Sequence, residues 1–185
     1  MENRADIPSK LENLITFLLG LFLLLFPIAV VDFSTDAYVI PKQALLAGLV
    51  ITGIVLMGVK GLLLSTVRLR RTPFDLPVVL FGTAAFLSAI FALNKYDSLI
   101  SFVPLLFIIL LFFLITNSIK KERDLLFLGS NLIVGGIAIS LVTLLSYLKI
   151  YPIPFLFAKN QTFTPMGSLF DQAIFLIVVL ALCLY

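Results

Sequence analysis

The order of hydrophobic and polar positions divides the chain into six long apolar runs separated by short polar segments. Apolar residues occupy every face of each run, a pattern typical of helices surrounded by lipid rather than of surface helices. A helix needs about 20 residues to cross the roughly 30 Å of hydrocarbon in a bilayer. The pattern predicts an all-α fold, a polytopic transmembrane helix bundle that forms one domain over residues 1–185. The predicted spans lie near residues 14–31, 44–64, 76–93, 99–116, 125–148 and 169–185.

Composition supports a membrane protein. Of the 185 residues, 61% are hydrophobic and 12% are charged, whereas a soluble domain is nearer half apolar and a quarter charged. The net charge of +3 does not indicate a nucleic-acid partner, because the 13 Lys and Arg are scattered among the short segments between runs. The chain has no His and one Cys, which excludes imidazole ligands, His-based catalysis and an intrachain disulfide. We therefore expect the lipid bilayer as a partner, and no nucleic acid, metal or cofactor.

The distribution of basic residues predicts the orientation in the membrane. Nine of the thirteen Lys and Arg fall before the first span, in the segments after the second and fourth spans, or, in the case of Lys60, near the end of the second span. The other four are Lys42, Lys95, Lys149 and Lys159. Because cytoplasmic segments are enriched in Lys and Arg, we expect a cytoplasmic N-terminus. The outer side is then expected to hold residues 32–43, 94–98 and 149–168.

Three polar residues of the first outer segment are candidates for chemistry. Lys42 follows Pro41 at the start of the second span and is the outward cation best placed for a lipid diphosphate, with interfacial snorkelling as the alternative. Asp32 and Asp36 lie four positions apart and would suit a general base or a metal ligand, although acids in such loops are more often simply solvated. Lys42 is therefore a candidate diphosphate-binding residue, and Asp32 and Asp36 are candidate outer-face acids. We assign no catalytic residue.

Asp171 is a third candidate outer-face acid, at the entry to the sixth apolar run. Ser168 stands three residues before it, which is the spacing of a helix capping box, and Gly167 permits a sharp turn in front. A carboxylate in the first turn also meets the positive end of the helix dipole. We expect Asp171 to cap a helix at the membrane interface, with a substrate-facing role as the alternative. The same spacing at Thr72 and Asp75 predicts a cap before the third span.

Small residues recur at every fourth position of some spans. The stripes are Ala44, Gly48 and Thr52 in the second span, Ala84, Ser88 and Ala92 in the third, and Gly136, Ser140, Thr143 and Tyr147 on one face of the fifth. Such stripes let helices approach closely, so we expect these faces to pack. A polar pathway for a substrate is the alternative for the fifth span. No span carries a charge near its centre, which argues against an ion-coupled pump.

Four segments carry a resemblance to a known family. They are VIPK at 39–42, TPFDLPVVLF at 72–81, NKYDSL at 94–99, and TPMGSLFDQAIFL at 164–176 after an outer loop rich in Pro and aromatic residues. In this order they resemble the N-terminal half of the O-antigen ligase and O-antigen polymerase family of multi-span bacterial membrane glycosyltransferases. The chain departs from the family at Ser168, where Asn often follows the Gly.

The resemblance implies a function in cell-envelope polysaccharide assembly. It implies a polyprenyl-diphosphate-linked glycan as donor and partner, inverting transfer without an essential metal, and location in the bacterial inner (cytoplasmic) membrane. The family's catalytic Arg and His belong to a later outer loop that matches nothing here, so no catalytic residue is carried over. Since the sixth run is truncated at Tyr185, we expect the N-terminal part of a longer protein, inactive alone. Half of a membrane transporter or flippase, or a non-enzymatic membrane scaffold, is the alternative.

Overall fold

The computed structural model describes residues 3–32, 36–64 and 70–184, and over these residues it contains helices and no strand. The predicted all-α fold is confirmed. The helices are α1 Asn3–Leu25, α2 Val39–Leu64, α3 Asp75–Ile90, α4 Lys95–Ser118, α5 Glu122–Tyr147 and α6 Leu169–Cys183, with a 3-10 turn at Leu156–Ala158. Tyr185, the predicted end of the sixth span, lies outside the described residues.

Four of the described helices are long and apolar enough to cross a membrane. They are α1 from Ile7 onward, α2, α4 and α5. The other two, α3 and α6, are also apolar but have only 16 and 15 residues. At 1.5 Å per residue they extend about 22–24 Å, less than the hydrocarbon thickness of a typical bilayer. The chain is therefore a membrane protein with four candidate spans of full length and two shorter apolar helices among its described residues.

Helix ends differ from the ends of the apolar runs. Helix α1 begins at Asn3 rather than near residue 14, because hydropathy marks the lipid-facing part of a helix and not its solvated extension. It ends at Leu25 rather than near residue 31, because Pro27 has no N–H to donate to the carbonyl of Leu23. Helix α2 begins at Val39 rather than near residue 44, so that it includes polar residues before the apolar run.

The chain divides into two compact units. The first unit is Met1–Leu18 with Leu46–Lys120, and the second is Leu19–Leu45 with Lys121–Tyr185. The boundaries fall inside α1 and α2, so each of these helices contributes one end to each unit.

In the first unit, α3 and α4 form an antiparallel hairpin. Gly82 of α3 faces α4 so closely that a Cβ there would lie 2.8 Å from the Ile109 Cδ1 atom. Nearer the connection, the rings of Phe86 and Phe102 lie 5.3 Å apart. Helix α3 starts at Asp75, and only part of the cap predicted before it is formed.

The part-formed cap before α3 is a turn closed by a carboxylate. Asp75 accepts hydrogen bonds from the backbone N–H of Thr72, at 2.9 Å, and from its hydroxyl. The backbone N–H of Asp75 donates to the Thr72 carbonyl at 3.2 Å rather than to the Thr72 hydroxyl, and the two residues after Thr72 form a turn before the helix begins. Of the two bonds of the predicted capping box, the one from the Thr72 N–H to the Asp75 carboxylate forms. The prediction of the other, from the Asp75 N–H to the Thr72 hydroxyl, is wrong.

The small-residue stripe predicted to pack in the second span is exposed instead. Ala44, Gly48 and Thr52 are all exposed, and a Cβ added at Gly48 would meet nothing within 4 Å. Gly53 makes the close contact of α2, against the buried side chain of Leu114 in α4. The stripe predicted in the third span is exposed at its first two positions as well. In α2 and α3, the small residues thus did not indicate which face packs.

In the second unit, two consecutive glycines let α5 contact two helices. A Cβ at Gly135 would lie 3.2 Å and 3.3 Å from the carbonyl oxygens of Leu23 and Leu24 at the end of α1. A Cβ at Gly136 would lie 3.0 Å from Val179 of α6. The packing predicted for Gly136 is therefore observed, with α6 as the neighbour.

The hydroxyls on the same face of α5 are bonded to the protein itself. The Ser140 hydroxyl donates to the Gly136 carbonyl at 2.8 Å. The Thr143 Oγ1 atom lies 3.0 Å from the carbonyl one turn earlier and 2.8 Å from the side-chain oxygen of the buried Gln172 in α6. One hydroxyl proton cannot serve two acceptors, and both contacts are satisfied when the Gln172 amide presents its NH₂ to Thr143. This arrangement favours helix packing over a polar pathway.

Helix α5 ends in a left-handed turn that redirects the chain. Lys149 has a φ of 63°, which is uncommon for a residue with a side chain. Its N–H donates to the Ser146 carbonyl at 3.0 Å, and the N–H of Ile150 donates to the Leu145 carbonyl at 2.9 Å. These bonds form a Schellman motif, in which glycine is the usual residue at the position of Lys149.

Candidate functional site

The side chain of Lys42 joins helix α2 to the segment before α6. Its Nζ atom donates to the carbonyl oxygen of Pro165 at 2.7 Å and lies 3.3 Å from the carbonyl oxygen of Tyr38. The side chain is partly buried, so the ammonium is held in one place rather than extended into solvent. A protonated amine has three donors, which leaves capacity for one further acceptor. Lys42 therefore combines a structural bond with a positive charge available to a ligand.

Tyr38 lies in a group of four rings, which we call the aromatic cluster: Tyr38, Phe155, Phe157 and Phe163. Its ring meets that of Phe157 edge-on, at 5.7 Å and 80°, and lies 6.4 Å from that of Phe163. The Phe155 and Phe157 rings are stacked at 5.5 Å. Phe163 is buried, whereas the other three are partly exposed. Burial, together with the negative charge of Asp36, raises the pKa of the Tyr38 phenol above its usual value, so Tyr38 remains a neutral donor.

The segment between the aromatic cluster and α6 is a tight turn that brings Pro165 to Lys42. Thr164 and Pro165 are buried, and the Thr164 carbonyl accepts from the N–H of Gly167 at 3.1 Å. Gly167 has a φ of 96°, which side-chain-bearing residues rarely adopt. A Cβ there would also lie 3.4 Å from the Tyr38 ring. That distance is an ordinary contact, so the glycine predicted to permit a sharp turn is required here by the backbone conformation.

Asp36 caps helix α2, a role that the sequence reasoning missed. Its Oδ1 atom accepts from the backbone N–H groups of Tyr38 at 2.9 Å and Val39 at 3.0 Å. The bonds from Val39 and Tyr38 lower the pKa of the carboxyl below its ordinary value, with a further contribution from the charge of Lys42. Asp is a preferred N-cap residue, and bonds to the N–H groups two and three residues later are the geometry of such a cap. The signal was obscured because the helix was expected to begin near residue 44.

Asp32 lies in the same short loop but at its other end. The loop is closed at its base by a hydrogen bond from the N–H of Val31 to the carbonyl of Ala37, at 3.1 Å. Asp32 is exposed in a turn just after Val31. The structure gives it no part in the contacts around Lys42, and its role as a candidate outer-face acid stays a prediction.

Asp171 lies in the first turn of α6, where the Ser168 hydroxyl oxygen accepts from its N–H at 3.1 Å. The predicted N-cap is confirmed. The Asp171 carboxylate accepts from the Ser168 hydroxyl at 2.7 Å, rather than from the backbone N–H that a full capping box would use. The charges of Asp36 and Asp171 both attract the Lys42 ammonium. Two of the three candidate acids, Asp36 and Asp171, thus lie near enough to interact with the charge of Lys42.

These residues define the Lys42 site: Lys42, the aromatic cluster, the 164–167 turn, and the carboxylates of Asp36 and Asp171. All of them belong to the second unit. The site belongs to a membrane protein with an all-α fold. Comparison with protein-family models, curated proteins and solved structures finds no match to this chain.

Proposed function

We propose that the chain is the membrane-embedded N-terminal portion of an O-antigen ligase- or polymerase-like protein that handles polyprenyl-diphosphate-linked glycans. The observation that carries this proposal is the Lys42 site, in which a fixed ammonium adjoins partly exposed aromatic rings. An ammonium matches a diphosphate, and aromatic faces with a few fixed polar groups are typical of small-molecule sites. The apolar helices supply the surroundings that a prenyl chain requires.

The proposal includes a location and an orientation. In the bacterial inner membrane, with the N-terminus in the cytoplasm, the loops that carry Lys42 and the aromatic cluster would face outward. The excess of basic residues in the segments predicted to be cytoplasmic supports this orientation. Lys42, Asp36 and Asp171 would then meet the diphosphate and the first sugars at the outer interface.

Cysteine labelling tests the orientation. In a Cys183→Ser background, which removes the one native thiol, Asn160→Cys should react with an impermeant maleimide added to intact cells. Lys121→Cys should react only after the membrane is permeabilised. Both positions are exposed in the structure, so access depends on the side of the membrane. The reverse pattern would contradict the orientation and the outward position of the Lys42 site.

Binding of geranylgeranyl diphosphate to the full chain in nanodiscs tests the ligand class. We expect Lys42→Gln to weaken binding about ten- to a hundredfold, since a charge-assisted hydrogen bond contributes about 1.5–3 kcal/mol, and Lys42→Arg to restore most of it. Lys159→Gln, which removes an exposed cation of the outer loop that carries Phe155 and Phe157, is the matched control and should have no effect. Geranylgeraniol, which lacks the diphosphate, should bind the wild type and the variants with equal affinity. Equal affinity of the wild type and Lys42→Gln for the diphosphate would contradict the proposal.

A further inference from the structure

Three charged side chains from three separate segments meet in the first unit. The Oε1 atom of Glu12, in α1, accepts hydrogen bonds from the ammonium groups of both Lys60, in α2, and Lys120, which follows α4. Because both nitrogens contact one oxygen atom, they lie within about 6 Å of each other, twice an ordinary hydrogen-bond length. We call these three residues the Lys–Glu–Lys cluster.

The cluster holds more positive than negative charge. Two ammonium groups and one carboxylate sum to +1, and the two like charges are held close together by a single shared acceptor. The bond to Glu12 raises the pKa of the Lys120 ammonium, so it remains charged. The Lys60 side chain is only 19% exposed, whereas that of Lys120 is 53% exposed and accessible to a ligand. The cluster is therefore a partly covered cationic site whose charge one further anion would balance.

We propose that Lys60 and Lys120 bind the phosphate of an anionic phospholipid. Two ammonium groups at this spacing can contact different oxygens of one phosphate, and basic pockets between membrane helices are suited to lipid head groups. Lys60 lies in the last part of α2, where the next residues include three exposed leucines that an acyl chain would cover: Leu62, Leu63 and Leu64. A charged group beside exposed apolar surface at a helix end matches the amphipathic character of a lipid.

A second polar group lies at the same end of α4. Ser118 is buried, and its hydroxyl oxygen is the one buried side-chain nitrogen or oxygen atom without a hydrogen-bond partner among the described residues. It lies one turn after Leu114, which faces α2, the helix that carries Lys60. Two residues later comes Lys120. The end of α4 thus has an unused donor on its α2-facing side in addition to the surplus charge.

The alternative is an ion-pair cluster that only joins the helix ends. The two interpretations predict opposite effects of Glu12→Gln. If the ammonium groups bind a lipid phosphate, Glu12 competes with that phosphate, and its neutralisation should strengthen lipid binding. If the cluster only joins helices, the same change removes the shared acceptor and gives no gain of lipid.

The experiment counts phosphatidylglycerol retained by the full chain, by native mass spectrometry after extraction from phosphatidylcholine vesicles with graded phosphatidylglycerol content. Lys60→Gln and Lys120→Gln should each weaken retention about fivefold, from about 1 kcal/mol per cation at a membrane surface. Glu12→Gln should strengthen it. Lys95→Gln, at the opposite end of α4, is the matched control and should match the wild type.

Three outcomes would overturn the proposal. The first is equal retention by the wild type, Lys60→Gln and Lys120→Gln. The second is weaker retention by Glu12→Gln while its thermal unfolding in phosphatidylcholine alone matches the wild type. The third is complete displacement of phosphatidylglycerol by millimolar inorganic phosphate, which would assign the cluster to the free anion rather than to a lipid. A variant that unfolds in phosphatidylcholine but regains wild-type stability with phosphatidylglycerol would support lipid binding.

Discussion

Gly167 provides the sharpest structural test of the Lys42 site. Its φ of 96° places it in a region that costs a side-chain-bearing residue about 1–2 kcal/mol. In Gly167→Ala, the new Cβ would lie 3.4–3.5 Å from Tyr38, an ordinary contact that adds little. The expected loss is therefore about 1–2 kcal/mol and arises from the backbone. The substitution should loosen the turn that brings the Pro165 carbonyl to Lys42.

Gly48→Ala is the matched control because it makes the same chemical change at a helical, open position. A Cβ at Gly48 would meet nothing within 4 Å, and alanine favours a helix over glycine by about 0.5–1 kcal/mol. This variant should gain stability where Gly167→Ala loses it. The two free energies of unfolding should differ by about 1.5–3 kcal/mol.

Thermal unfolding in nanodiscs measures the difference, at about 2–4 °C per kcal/mol for a chain of this size. Hydrogen exchange of residues 163–168 localises it, and exchange should rise in Gly167→Ala but not in Gly48→Ala. If Gly167→Ala unfolded at or above the temperature of Gly48→Ala, the positive φ and the turn built on it would be refuted.

Three further predictions concern caps and turns. The pKa of Asp36 is lowered in the folded protein, so its cap should be intact above the unfolded pKa of about 3.9 and be lost as the pH falls through the lower folded pKa. Amide chemical shifts of the first turn of α2 should follow this titration, and the pH dependence should be absent in Asp36→Asn. Ser168→Ala should cost about 1 kcal/mol in thermal unfolding, whereas Asp171→Asn should cost about 0.5 kcal/mol or less, and equal losses would contradict the capping geometry. Lys149→Gly should stabilise the chain by about 1 kcal/mol by relieving its positive φ, and a lower unfolding temperature would contradict the assigned turn.

The sequence predicted the all-α class and two local features, a helix cap and a glycine turn. Apolar runs are long enough to identify helices, and the capping signals at Ser168 and the glycine turn at Gly167 depend on residues that are close in sequence. The Asp36 cap was equally local, but it was missed because the apolar run, not the helix, defined the expected start of α2. Hydropathy indicates which part of a helix contacts lipid. A helix that continues into polar surroundings keeps its backbone hydrogen bonds, but its residues there are polar.

The sequence pattern could not predict contacts between residues that are far apart in the chain. Lys42 and Pro165 are separated by 123 positions, and nothing local to either indicates the other. The stripe containing Gly48 was expected to pack and is exposed, while Gly53 packs instead. On helices that are apolar on all sides, no polar face indicates which side is buried, so periodicity cannot select the packed face.

The most direct test of the proposed function is photo-crosslinking with a polyprenyl-diphosphate disaccharide that carries a diazirine on its first sugar. The full chain in its native membrane is irradiated with this probe, and labelled peptides are mapped by mass spectrometry. We expect crosslinks within residues 36–42 and 155–167, which Lys42→Gln reduces and Lys159→Gln does not. Crosslinks confined to other segments, or equal labelling of the wild type and Lys42→Gln, would contradict the assignment of the Lys42 site to a lipid-linked glycan.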